Sequence, residues 1–322
     1  MEMYSPTRSY SLDIKSANEP HKLHIHEWGK QKNEKVILCL HGLTRCSLDF
    51  GPFGTFFSKD YRVVCPDLVG RGSSSWLINK SLYQIPFYLR DICFLIDRLK
   101  SEDITLVGTS LGGILAMFLC SKKTIFSDSF FFSRDDVVSL EEIKEKTNFS
   151  KLILNDIGAT VNFRELLRLN YATSFDKEFY SSEKEAEKSV KKNFREFGPH
   201  SDAEWKFLTQ SYIRLDSETR RFVPHFDPGI LNPYGLPAIF NELSSIGIQA
   251  LPDLDLWEVF DQICLPTLLL KGAESSILKK ELANEMTERG PKPKLVEFQN
   301  VGHAPTLIDQ NQLYVVKNFF NS

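Results

Sequence analysis

The chain has 322 residues, 42% of them hydrophobic and 12% aromatic, with 25 Phe and four Met. That length suits one α/β unit carrying an insertion, and the apolar share is ample for one large packed core. A formal net charge of −3 argues against electrostatic capture of nucleic acid or of an acidic membrane surface.

The polar N-terminus, residues 1–10, lacks the apolar stretch of a secretory leader. No run approaches the ~18 apolar residues expected of a membrane span. Residues 10–14 and 23–28 alternate apolar and polar, which predicts an antiparallel pair of strands. His24 and His26 share one face of the second strand, but no third ligand lies near them in sequence, so no metal is assigned. Val36-Ile-Leu-Cys-Leu40 ends in His41-Gly42, and a second run over 61–65 stops at Pro66-Asp67, before Gly70-Arg71-Gly72-Ser73-Ser74. Continuous apolar runs of this kind are strands buried on both faces, as a parallel sheet requires. Helical spacing over 82–99 puts Leu89, Ile92, Cys93, Ile96 and Leu99 on one face. A strand over 104–107, a helix over 111–120 and a strand over 152–154, ending at Asn155-Asp156, continue the alternation. It predicts a doubly wound, mostly parallel sheet.

From about 160 to 260 the alternation stops. Glu183, Glu185 and Glu187 interleave with Lys188, Lys191 and Lys192 as a solvated helix face. A Pro/Gly-rich piece (Pro224, Pro228, Gly229, Pro233, Gly235, Pro237) follows. This block reads as a mainly helical cap or lid inserted after the sixth strand, over the sheet's ligand end. The sheet pattern resumes with a strand over 266–270, a helix over 277–289, a strand over 295–298 and a last helix ending at Phe320. The expected division is therefore 1–159 for the first part of the core, 160–262 for the cap and 263–322 for the second part of the core. The run Phe130, Phe131, Phe132 reads as core or lid packing. The six cysteines are scattered with no C-x-x-C pair, and several fall inside apolar patterns. Free thiols in a reducing cytoplasm are the expectation.

Gly108-Thr109-Ser110-Leu111-Gly112 fits G-x-S-x-G and lies directly between a buried strand and an apolar helix. A sharp turn there lifts the serine hydroxyl above the sheet, and the helix N-terminus offers free N–H donors where an oxyanion would form. A serine needs a base within hydrogen-bond reach. His303, in Val301-Gly302-His303 after the last strand, lies at the same carboxyl edge of the sheet. Gly42 closes the first parallel strand at that edge, and the N–H of Leu43 can join that of Leu111 as an oxyanion hole. His41 reads as a brace for its loop. Asp67 and Arg71 read as a pair holding theirs, and Asp227 as a turn residue.

Leu40-His41-Gly42, Asp67-Leu-Val-Gly70-Arg71-Gly72-Ser73, Gly108-Thr-Ser110-Leu-Gly112 and Val301-Gly302-His303, in that order, resemble the α/β-hydrolase superfamily over roughly the two thirds of the chain outside the cap. The resemblance implies an eight-stranded sheet with the cap set over it, and acyl transfer through Ser110. Related dehalogenases and epoxide hydrolases carry an aspartate at the elbow, so those activities are disfavoured. Close relatives place the triad acid after the strand over 267–270, in a stretch like G-x-x-S-D. Here Gly272-Ala-Glu274-Ser275-Ser276 stands, with Ser276 where the aspartate belongs. Three alternatives follow. Asp156, at the end of the preceding strand, supplies the carboxylate and is the favoured candidate; Glu274 reaches back from its loop; or the site works as a Ser–His pair.

The expected activity is hydrolysis of a small or medium apolar carboxylic ester through an acyl-enzyme on Ser110, with His303 as base and no metal or organic cofactor. Two alternatives remain: C–C bond hydrolysis of a diketone-like substrate on the same fold, or a ligand-binding, low-activity chain whose triad acid was lost at Ser276. The expected partner is a small-molecule substrate, not nucleic acid.

Overall fold

The computed structural model describes residues 4–16, 18–101, 103–122, 139–162, 164–166, 168, 179–231 and 253–322. In chain order come β1 (Arg8–Ile14), β2 (His21–Trp28), β3 (Lys35–Leu40), α1 (Gly51–Phe57), β4 (Arg62–Asp67), α2 (Ile85–Leu99), β5 (Asp103–Thr109), α3 (Leu111–Cys120), α4 (Leu140–Lys146) and β6 (Asn148–Asn155). Then follow β7 (Thr160–Val161), α5 (Glu183–Asn193), α6 (Asp202–Gln210), β8 (Ile213–Leu215), β9 (Phe222–Pro224), β10 (Leu254–Asp255) and α7 (Trp257–Phe260). The chain ends with β11 (Thr267–Gly272), α8 (Lys280–Glu288), β12 (Lys294–Phe298) and α9 (Gln310–Phe320).

Eight strands form one sheet in the order β1-β2-β4-β3-β5-β6-β11-β12. β2 runs antiparallel to β1 and β4, and the six strands from β4 to β12 are parallel. The eight-stranded, mostly parallel sheet expected from the sequence is therefore present.

Alternate residues of the central strands feed two separate cores, which is why their apolar runs are continuous. Ile37, Cys39, Val63, Cys65, Val107, Ile153, Leu268 and Leu270 pack on one face with Phe53 and Phe57 of α1 and Leu313, Val316 and Phe319 of α9. Val36, Leu38, Leu40, Leu106, Leu152, Leu154 and Leu269 pack on the other with α2, α3 and α4. All six cysteines are free, and Cys39, Cys65, Cys93 and Cys120 serve as small apolar packing groups in these cores.

Between β6 and β11 no described strand joins the eight-stranded sheet. The intervening chain is closed at its base by the β7–β10 pair and carries the short β8–β9 hairpin. Backbone bonds tie it to the loops at the sheet's carboxyl edge: Gly72 N–H to His225 O (2.8 Å), Asp227 N–H to Gly70 O (2.8 Å) and Gly302 N–H to Glu196 O (2.6 Å). Phe130, Phe131, Phe132, Pro233, Gly235 and Pro237 lie outside the described residues.

Two helices escaped the sequence pattern. α1 carries Gly51, Pro52 and Gly54, and α4 lies in what read as a polar connection up to Ser150. Among the described residues no helix is long and apolar enough to cross a membrane.

Candidate active site

Parallel strands bring the ends of β3, β5, β6, β11 and β12 to one edge, with Thr109 beside Asn155, Asn155 beside Leu270, and Gly272 beside Phe298. Ser110 and Asp156 are each the first residue beyond their strand. The chain turns at Ser110 with φ 51 and ψ −116, a left-handed conformation costly for a side-chain-bearing residue. Its surroundings enforce the turn. Ser110 N–H donates to Asn155 O (3.1 Å), and Ser110 O accepts from Gly113 and Ile114 N–H.

Two glycines allow α3 to start this close to the sheet. A Cβ on Gly108 would lie 2.4 Å from Gly112 O, and one on Gly112 only 2.0 Å from Leu40 O. Any side chain there would push the helix off the strands.

His303 lies within hydrogen-bond reach of both neighbours: Nε2 is 2.9 Å from Ser110 Oγ, and Nδ1 is 2.7 Å from Asp156 Oδ2. Asp156 is fully buried and also adopts positive φ, at 55°. Its Oδ1 accepts from Gly272 N–H (2.9 Å) and its Oδ2 from Ser275 Oγ–H (2.5 Å). These two donors hold the carboxylate in a fixed orientation. With Asp156 as acceptor, Nδ1 carries the proton and the Nε2 lone pair faces the serine.

The other candidates for the acid lie elsewhere. Glu274 is exposed, and among the described residues only its backbone N–H is tied in, to Val301 O (2.9 Å). Ser276 accepts from Arg168 Nη2 (2.9 Å). The neighbouring Ser275 provides the hydroxyl instead, and it also accepts from the N–H groups of Ile277 and Leu278. Sequence reasoning passed over Ser275, although it is the serine of the G-x-x-S-D-like stretch.

Among the described residues, neither the Leu43 nor the Leu111 N–H has a backbone acceptor. Leu43 O accepts from Arg71 Nε (2.8 Å), which anchors the peptide that follows the Leu43 N–H. Arg71 also donates to Val69 O and to Tyr88 OH, while Asp67 accepts from Ser47 and Ser73. The expected Asp67–Arg71 pair is thus not formed. Each holds the loop through separate partners.

His41 accepts from Leu68 N–H at Nε2 (2.9 Å), and its Nδ1 lies 2.7 Å from Gly42 O. Burial pushes its pKa down to about 4 despite the nearby Asp67 carboxylate, so it is a neutral brace. His24 and His26 each bond a serine of β1, and the described residues contain no cluster suited to a metal.

A cleft of about 120 Å³ opens on this edge. Among the described residues, Ser110, His303, Gly42 and Leu43 line it from the core, while Leu166, Phe194, Phe197 and Leu208 come from the chain between β6 and β11. Arg45 and Asp49, which the sequence did not single out, also line it.

The family model described as the alpha/beta hydrolase fold matches residues 35–309. A 3-hydroxybutyrate-oligomer hydrolase of Cupriavidus necator is 31% identical over 302 residues, covering 93% of each chain. A solved α/β hydrolase from Novosphingobium aromaticivorans superposes with a TM-score of 0.78 at 26% identity, covering 98% of this chain and 99% of the other. An esterase from Exiguobacterium antarcticum shares the fold, with a TM-score of 0.63 at 18% identity over 97% of this chain and 100% of its own. The chain belongs to the α/β-hydrolase fold family.

Proposed function

We propose that this protein is a serine hydrolase that cleaves a carboxylic ester through an acyl-enzyme on Ser110. The observation that carries this reading is the unbroken line Ser110 Oγ–His303–Asp156 at the mouth of a largely apolar cleft. His303 Nε2 takes the hydroxyl proton as Oγ attacks the ester carbonyl carbon. The carbonyl oxygen becomes an oxyanion between the Leu43 and Leu111 N–H groups, donors fixed before the reaction begins. As the carbonyl re-forms, the C–O bond to the alcohol breaks and His303 returns the proton to the leaving oxygen. Water then enters, gives its proton to His303 and attacks the acyl carbon; the bond from that carbon to Oγ breaks, His303 returns the proton to Oγ, and the acid leaves. Asp156 orients the ring and faces the imidazolium as it forms.

Residues 160–262 act as a cap in this account, because Phe194, Phe197 and Leu208 line the same cleft as the serine. The Cupriavidus relative is named for an oligomer of 3-hydroxybutyrate. Such an oligomer is joined by ester bonds, which favours ester over C–C cleavage. The reading is tested with p-nitrophenyl esters of rising acyl length. Measurable turnover is expected, with Ser110→Ala lowering kcat by at least about 10³-fold. A flat zero across the panel from folded protein would remove the esterase reading and leave the C–C bond substrates.

A further inference from the structure

Arg45 follows the His41-Gly42 turn and is only 7% exposed. An arginine has five N–H donors. Nε donates to Asp49 Oδ2 (2.7 Å), while Nη2 donates to Asp49 Oδ1 (2.6 Å), Leu208 O (3.1 Å) and Ser211 Oγ (2.9 Å). The rings of Phe194, Phe197 and Tyr212 lie 5.1–5.7 Å from the guanidinium carbon. These contacts make Arg45 a strut between the core and the chain between β6 and β11. They leave one nitrogen unused: Nη1 is buried and has no acceptor among the described residues. A buried cationic donor without an acceptor is costly, and such groups in native proteins call for an explanation.

Arg45 and Asp49 line the same cleft as Ser110 and His303. Among the described lining residues they alone carry permanent charge, and they neutralise each other. A carboxylate brought to Nη1 would add an unbalanced negative charge beside Asp49 among aromatic walls. An uncharged oxygen would complete the donor set without that cost. Resting on the serine-hydrolase reading, we infer that Arg45 Nη1 is a specificity-determining donor for a second, uncharged oxygen of the substrate. The substrate class is then an ester carrying a further carbonyl or hydroxyl a few atoms from the scissile group, as in hydroxy-acid esters, in preference to plain alkyl or carboxylate-bearing esters.

The test compares p-nitrophenyl 4-oxopentanoate, pentanoate and hemisuccinate on the full chain, with spontaneous hydrolysis subtracted. The wild type should prefer the oxo ester by about tenfold or more in kcat/KM over both others. In Arg45→Met that ratio should fall to within about threefold of one, whatever the absolute rate. Equal rates on the oxo and plain esters, preference for the hemisuccinate, or a ratio unchanged in Arg45→Met would each overturn the inference. Should Arg45→Met fail to fold, or should no ester turn over, calorimetry on Ser110→Ala decides. Ethyl 4-oxopentanoate should bind at least about tenfold more tightly than ethyl pentanoate, and equal affinities would overturn the inference. Absence of turnover combined with selective binding would sink the esterase reading alone.

Discussion

In the proposed mechanism, Asp156 is the residue on which the rate depends most after Ser110 and His303. Its Oδ2 takes both the His303 ring and the Ser275 hydroxyl, so an amide there would present N–H groups to donors or force the ring into the wrong tautomer. Asp156→Asn is expected to lower kcat by roughly 10³–10⁴-fold, whereas Glu274→Gln should stay within a few-fold of wild type; steady-state kinetics on one ester compares them. Ser275→Ala should cost about tenfold in kcat with KM little changed, because its hydroxyl touches the acid and not the substrate. His41 supplies a pH signature of a different kind. Its folded pKa of about 4 lies below the ordinary histidine value of 6.5. The unfolded chain therefore takes up a proton that the native state refuses. Stability is full above pH 6.5 and falls as pH drops toward 4, by on the order of 3 kcal/mol for this group. Urea melts at several pH values should show a shallower acid limb in His41→Gln than in the wild type.

Among the elements, the turn from β5 into α3 is the tightest. Gly112→Ala sets its methyl against the Leu40 carbonyl at 2.0 Å, and either misfolding or a loss of more than about 3 kcal/mol should follow. Gly42→Ala is the contrast. Its nearest neighbour would be Ser110 Cβ at 3.8 Å, so the melting temperature should hold while the methyl, set beside the nucleophile, lowers kcat/KM. Thermal melts and ester kinetics on both variants separate packing from chemistry. The central strands were legible because each is buried on both faces and so reads as an unbroken apolar run. Ser110, His303 and Asp156 were legible because each sits just beyond such a strand or in the loop that follows one. α1 was not, since Gly and Pro signal breaks. Gly54 is nonetheless required in α1, where a Cβ would lie 2.5 Å from the Trp28 ring. α4 offers only Leu140 and Ile143 as buried residues, too few for a periodicity. Ser275 and Ser276 are adjacent serines, and which one faces Asp156 is set by the turn after β11, information that composition does not hold.

At the scale of the molecule, the sheet and the chain between β6 and β11 are joined by buried polar ties that sequence spacing could not reveal. Asp227 accepts from Tyr83 OH (2.6 Å), from Gly229 N–H (2.8 Å) and from Lys80, linking the loop after β4 to the turn after β9. Asp227→Ala strands the tyrosine hydroxyl and should cost about 2–4 kcal/mol, read from denaturant midpoints. Arg45 and Asp49 make a second tie through Ser211 and Leu208. Asp49 and Ser211 are 162 residues apart, a tie invisible to a local reading. The site as a whole depends on Ser110 being a nucleophile poised by His303 and Asp156. That is tested most directly by treating the folded protein with a fluorophosphonate and mapping the adduct by peptide mass spectrometry. A single adduct on the Ser110 peptide, lost in His303→Ala, is the outcome expected here; an unlabelled Ser110, or labelling at another serine with Ser110 untouched, would contradict it.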